Sequence, residues 1–219
     1  GCGPDLFGGW RLRGPVPGAV ADLCPGDADV WLSRGAWAVG GAVDLMHRIG
    51  LLALALLLAA CGPVYRDADA PIASAAAFEP ARYAGLWYEV ARYEVPFQRG
   101  CTDVTAEYQV VSPTVLSVEN ACVRDGAVDA IAGTAEVAGP GRFAIRFDSV
   151  PFVRAPYWVL WVDEGYRTAV VGVPSGRAGW ILNRDPQIPE DRFNAALQVL
   201  EFNGYDTSRL IRTVHADPG

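Results

Sequence analysis

Lysine is absent from the 219 residues, so all 18 basic side chains are arginine, and the net charge is −7. A chain without lysine cannot form a Schiff base, and arginines that never run together on a net-acidic chain offer no concentrated positive face. Nucleic acid is therefore excluded as a partner, because phosphate binding needs such a face. Histidine occurs only as His47 and His215. With His215 alone in the C-terminal part, no Ser/His or Cys/His pair and no metal cluster can be assembled around a cavity. Long apolar stretches are also missing: the run at 49–58 has ten residues, too few to cross a bilayer as a stable helix.

Residues 1–45 are rich in glycine and proline, carry Cys2 and Cys24, show no apolar period and do not read as a domain. The only methionine, Met46, is followed by His47 and Arg48, the apolar run, and then Leu58, Ala59, Ala60 and Cys61. A short positive region, an apolar core and a small-residue cleavage site are the layout of an export signal. The last four residues are similar to the lipobox of bacterial lipoproteins, which implies that Cys61 is acylated and becomes the first residue of the mature protein. The alternative is a plain signal peptide with an incidental cysteine. On this reading translation starts at Met46, 1–45 are an over-extended reading frame and 46–60 are the signal peptide. Losing Arg11, Arg13, Arg34 and Arg48 with Asp5, Asp22, Asp27, Asp29 and Asp44 leaves a mature net charge of −6.

Residues 61–82, with Pro63, Pro71, Pro80 and the run 74–77 of serine and alanine, read as a tether. From Gly85 onward, apolar and polar residues alternate with period two at intervals suited to an antiparallel meander. Strands are expected at 85–93, 102–111, 115–123, 128–137, 142–147, 157–162, 168–173 and 179–183. Phe193, Ala196, Leu197 and Leu200 then fall at i, i+3, i+4 and i+7 of a helix that opens after Pro189 and stops at Gly204. A last short strand is expected at 209–213. The predicted fold is all-β: an eight-stranded antiparallel up-and-down barrel over 83–215, with one C-terminal helix packed outside and a tail at 216–219.

Gly85, Leu86 and Trp87 begin the first strand, and Arg184 follows the eighth. This G-x-W with a distant arginine resembles the lipocalin family, in its bacterial, apolipoprotein-D-like branch. There the tryptophan sits at the closed base and the arginine packs across it. The lead-in at 78–85 and the run from Asp163 to Val171 are similar to signatures of the same branch, and the resemblance covers about 78–214. It implies a lipid-anchored calyx that binds, and transports or stores, fatty acids, lysophospholipids or similar small hydrophobes. It also implies attachment through Cys61 to the periplasmic face of the outer membrane, since Gly62 is not the aspartate that retains lipoproteins at the inner membrane. No cofactor is implied, and homodimerisation is left open.

Strand alternation puts the first, third, fifth and seventh inter-strand loops at the open end. They carry Arg99, Arg124, Arg154 and Arg177, which either form a rim for an anionic headgroup or are solubilising loop charges. Inward positions are Tyr108, Leu116, Ile131, Phe143, Ile145, Tyr157, Trp161 and Trp180, with Gly133 and Ala135 leaving space among them. Cys101 and Cys122 form an even pair in an oxidising compartment, so a disulfide is expected. Simple pairing places them on opposite faces, so the bridge requires a shifted register or a bulge, expected at Gly100. Left free, Cys122 would face inward as the nucleophile of a cavity-cysteine enzyme. A third reading is a scaffold barrel with a filled interior. Glu89, also of inward parity, is read as structural.

Overall fold

The computed structural model describes residues 62–216. Nine strands run β1 Gly85–Arg92, β2 Thr102–Ser112, β3 Val115–Arg124, β4 Ala127–Gly139, β5 Arg142–Phe147, β6 Ala155–Val162, β7 Thr168–Gly172, β8 Gly179–Asn183 and β9 Ile211–Arg212. A one-turn helix α1, Pro80–Tyr83, precedes β1, and α2, Glu190–Phe202, lies between β8 and β9. The first eight strands pair antiparallel in chain order. Pairing of β1 with both β2 and β8 closes the cylinder.

Local chemistry accounts for the turns. Asp125 and Gly126, both at positive φ, make the two-residue β3–β4 loop, the geometry that suits the twist of a hairpin. The inner faces of the strands enclose one core, built on Trp87, Tyr108, Leu116, Val118, Phe143, Ile145 and Val171. A second core lies outside the wall, where Phe193, Ala196 and Leu200 of α2 meet Val90, Leu160, Val170 and Ile181. That outer helix is why β6 and β7 carry no polar face.

Three expectations require correction. The segment expected as a tether is packed from Tyr65 on: Tyr65 and Arg66 are buried. The Tyr65 amide donates to Gly176 O, Asp67 N to Gly204 O and Ala75 N to Val159 O. The Arg66 guanidinium reaches Asn203 O at 2.7 Å and also bonds Ala70 O. Trp161 faces the outer core rather than the interior, because the pairing of β6 with β7 shifts between Val159 and Trp161 and the extra residue, Leu160, reverses the parity of the rest of the strand. Gly133 does not leave a void either. A Cβ there would lie 2.4 Å from Arg146 O, so the glycine serves the close approach of β4 to β5. The segments 1–45 and 46–60, Cys61 and the last residues of the tail fall outside the described residues.

The C-terminal segment completes the wall. β1 and β2 pair only from Gly85↔Tyr108 to Tyr88↔Thr105. Beyond that point they part, and β9 takes the place beside β1, with Ala91↔Arg212 and Arg92↔Ile211. Thr213 N donates to Val90 O, and Asp103 N donates to Val214 O, so the tail bridges the two strands.

Candidate functional site

The floor is built first. Gly85 holds φ 97°, and a Cβ on it would lie 3.2 Å from the Arg184 guanidinium. The guanidinium carbon stands 3.8 Å from the centroid of the Trp87 ring, a contact worth about 2 kcal/mol when partly desolvated. Arg184 also donates to Leu86 O at 2.6 Å, Ala84 O at 2.9 Å and Tyr166 O at 3.1 Å. The indole N–H of Trp87, itself fully buried, donates to Tyr83 O at 2.7 Å. Burial lowers the Arg184 pKa from its ordinary value.

Above this floor stand Phe143, Tyr108, Leu116 and Ile145, all buried, as the inward alternation requires. Tyr83, reaching up from α1, completes the group; its ring lies 4.8 Å from Trp87 and 5.1 Å from Tyr108. Sequence reasoning missed Tyr83 as an interior residue, because it precedes the first strand and belongs to no alternating pattern. The Tyr108 hydroxyl donates to Tyr157 Oη at 3.0 Å, and Tyr83 Oη is 2.9 Å from the same oxygen. Burial, reinforced by the neighbouring phenols, pushes Tyr83 and Tyr157 well above the ordinary phenol value, and burial likewise raises Tyr108. All three are neutral hydrogen-bonding groups at any ordinary pH.

The rest of the inner wall is less completely buried. Tyr157, Trp180 and Phe147 pack on the inner core yet are only partly buried. Ile131 is 36% exposed, because its part of β4 extends beyond the enclosed section of the barrel. Tyr157 stacks on Trp180 at 6.2 Å, and the Trp180 N–H donates to Gln98 Oε1 at 3.0 Å. Gln98 in turn donates to Glu89 Oε2 at 2.7 Å, while Thr213 and Arg92 donate to Glu89 Oε1. Burial raises the Glu89 pKa, and the Thr213, Gln98 and Arg92 contacts oppose that shift. The carboxylate is thus a structural joint between β1, the β1–β2 loop and the tail.

The rim is less basic than its arginines suggest. Arg99 is paired with Glu94 at 2.9 Å. Arg154 is paired with Glu136, which also holds Arg146, and so lies against the outer wall. Arg124 bonds Asp129 at 3.1 Å and Phe97 O at 2.7 Å. Neither Arg99 nor Arg154 forms an unpaired cationic rim. Exposed apolar residues at this end include Phe97, Val128, Val150, Val153 and Phe152, the last at 99%.

Cys101 and Cys122 are joined in a disulfide, with Cα atoms 5.5 Å apart. The register shift that makes this possible lies between Thr102 and Thr105, two residues past the expected Gly100, with Asp103 at φ 51°. The thiol of the cavity-cysteine reading is therefore consumed.

An eight-stranded antiparallel calyx, floored by an indole under a guanidinium and open at the other end, is the class these features define. A family model described as a lipocalin-like domain matches residues 78–215. The chain belongs to that family, and its expected kinship with the bacterial and apolipoprotein-D-like branch holds. Outer membrane lipoprotein Blc of Escherichia coli K12 is 34% identical over 137 residues, covering 61% of this chain and 77% of that protein. Temperature-induced lipocalin-1 of Arabidopsis thaliana is 32% identical over 146 residues, covering 62% and 78%. Among solved structures, insecticyanin of the tobacco hornworm Manduca sexta shares the fold with a TM-score of 0.58 at 19% identity, covering 71% of this chain and 91% of that one.

Proposed function

We propose that this protein is a membrane-anchored carrier or store that holds fatty acids, lysophospholipids or similar small hydrophobes in its calyx. The observation that carries the reading is the burial gradient of the inner wall: side chains sealed at the floor, and the inward aromatics Tyr157, Trp180 and Phe147 only partly buried above it. An acyl chain entering such a space gains roughly 0.8 kcal/mol per buried methylene, less its immobilisation cost. Contact residues would come from Tyr108, Leu116, Phe143, Ile145, Tyr157 and Trp180. Anchoring through an acylated Cys61, on the periplasmic face of the outer membrane, is supported by the export-signal layout and by the relatives named as outer membrane lipoproteins. No described helix is long and apolar enough to cross a membrane. Binding is favoured over catalysis because both cavity-end sulfurs are tied up in the disulfide and His215 is engaged with Glu89 O at the wall.

Displacement of a fluorescent acyl probe by oleate tests the reading. We expect displacement at micromolar oleate, about −8 kcal/mol. A probe that neither binds nor is displaced would instead make the barrel a filled scaffold.

A further inference from the structure

The interior just above the calyx floor is not uniformly apolar, and its hydroxyl protons do not balance. Each phenol has one proton to donate. Tyr83, Tyr108 and Tyr157 therefore bring three, but share only two contacts, Tyr108 to Tyr157 at 3.0 Å and Tyr83 with Tyr157 at 2.9 Å. The described residues give these hydroxyls no other partner. Tyr83 is fully buried, whereas Tyr157 is only partly so. An unmet donor is tolerated where it faces accessible space and is costly where it is sealed. The two buried phenols thus donate to Tyr157, and the Tyr157 proton is the one left over, facing the interior. On the facing wall, Asn120 lies on the inward face of β3 two residues mouthward of Val118, the partner of Tyr108, and so about 7 Å further up the barrel. Its buried Oδ1 also lacks a partner.

We propose that the calyx selects an oxygenated hydrophobe: a chain whose buried portion carries an uncharged hydroxyl or carbonyl oxygen, which accepts a hydrogen bond donated end-on by the Tyr157 hydroxyl. An ionised carboxylate is disfavoured at this depth. Removing it from water carries a large cost, and Arg184, the cation whose charge acts on Tyr83, lies behind Trp87 with donors already used on backbone carbonyls. The carboxylate of a fatty acid is therefore placed toward the mouth and the oxygen at the far end of the chain.

This inference rests on the lipid-binding reading, and matched ligands separate the two. Displacement of a fluorescent acyl probe from the full chain is measured for terminally hydroxylated acids from 10-hydroxydecanoate to 16-hydroxyhexadecanoate, each against its methyl-ended counterpart. At the length that reaches the floor, the hydroxylated acid is expected to bind at least about threefold tighter, as sites built around a hydrogen bond discriminate. The variant combining Tyr83→Phe, Tyr108→Phe and Tyr157→Phe keeps the rings and removes the hydroxyls. It should lose the preference, the affinity ratio within each hydroxylated and methyl-ended pair falling to about one. Methyl-ended acids that match or exceed their hydroxylated partners at every length on the natural protein overturn the inference alone, whether or not the variant folds. Failure of both series to displace the probe overturns the lipid-binding reading with it.

Discussion

Arg184 ties its own segment, just after β8, to two others, the start of β1 and the loop at Tyr166. Its guanidinium covers Trp87, and its donors reach Tyr166 O on one side and Leu86 O and Ala84 O on the other. Charged hydrogen bonds contribute about 1.5–3 kcal/mol each when their loss strands a partner. Arg184→Ala should therefore destabilise the fold by about 3 kcal/mol and lower Tm by roughly 10 °C. Arg184→Lys should recover less than half of that, since an ammonium has no planar fork to lie on the indole. A thermal melt of Arg184→Ala within a degree or two of the natural protein would refute the floor role. This pairing is legible in the sequence because glycine, tryptophan and arginine are each specific to the job. Trp161 is not legible: residues 157–162 are apolar on both faces, so nothing in them announces that Leu160 is an inserted residue and that the parity turns over.

At the scale of elements, what the sequence conceals is how irregular backbone is used. The register shift between Thr102 and Thr105 brings Cys101 and Cys122 to the same side of the β2–β3 pair. Parity shows that such a shift is needed but not where, because Asp103 is one of the residues that tolerates positive φ without being glycine. The strap at 62–82 hides its packing for a related reason. Its prolines deny it a long helix and its alanines disfavour a strand of its own, while its attachment depends on a few anchors, Tyr65, Arg66 and Phe78. The joint at Glu89 carries a pH signature. Burial raises its pKa from the ordinary 4.5, so the folded state holds this proton more tightly than the unfolded chain does. The stabilisation is present below 4.5 and is lost as pH rises through the folded value. Urea unfolding should therefore show Glu89→Gln gaining on the natural protein as pH rises through that window. A stability difference independent of pH would rule the titration out.

For the molecule as a whole, the order of strands, the closing of the barrel and the external helix all derive from two periodicities, two residues in the wall and 3.6 in α2. These are readable because β2 to β5 show water one face. The interior is readable only as a set of inward positions. Which of them are sealed and which remain accessible depends on the level each occupies, a property of register and shear that no local pattern carries. The same holds for the rim, where Arg99 and Arg154 find carboxylates on Glu94 and Glu136. Selectivity in this molecule accordingly belongs to the depth of the cup more than to its edge.

The stretch from Ile211 to Ala216 works as a zip fastener: it supplies the backbone partners that β1 and β2 deny each other at the mouth, and Thr213 from it grips Glu89. Ending translation after Leu210 should turn the cylinder into a split sleeve, joined along that edge only by its lowest rungs. Limited proteolysis would then cut around residues 93–104 in the shortened protein and spare them in the intact one. Any reporter fused to this protein belongs on a longer spacer, or elsewhere, because its C-terminal stretch is part of the vessel's side.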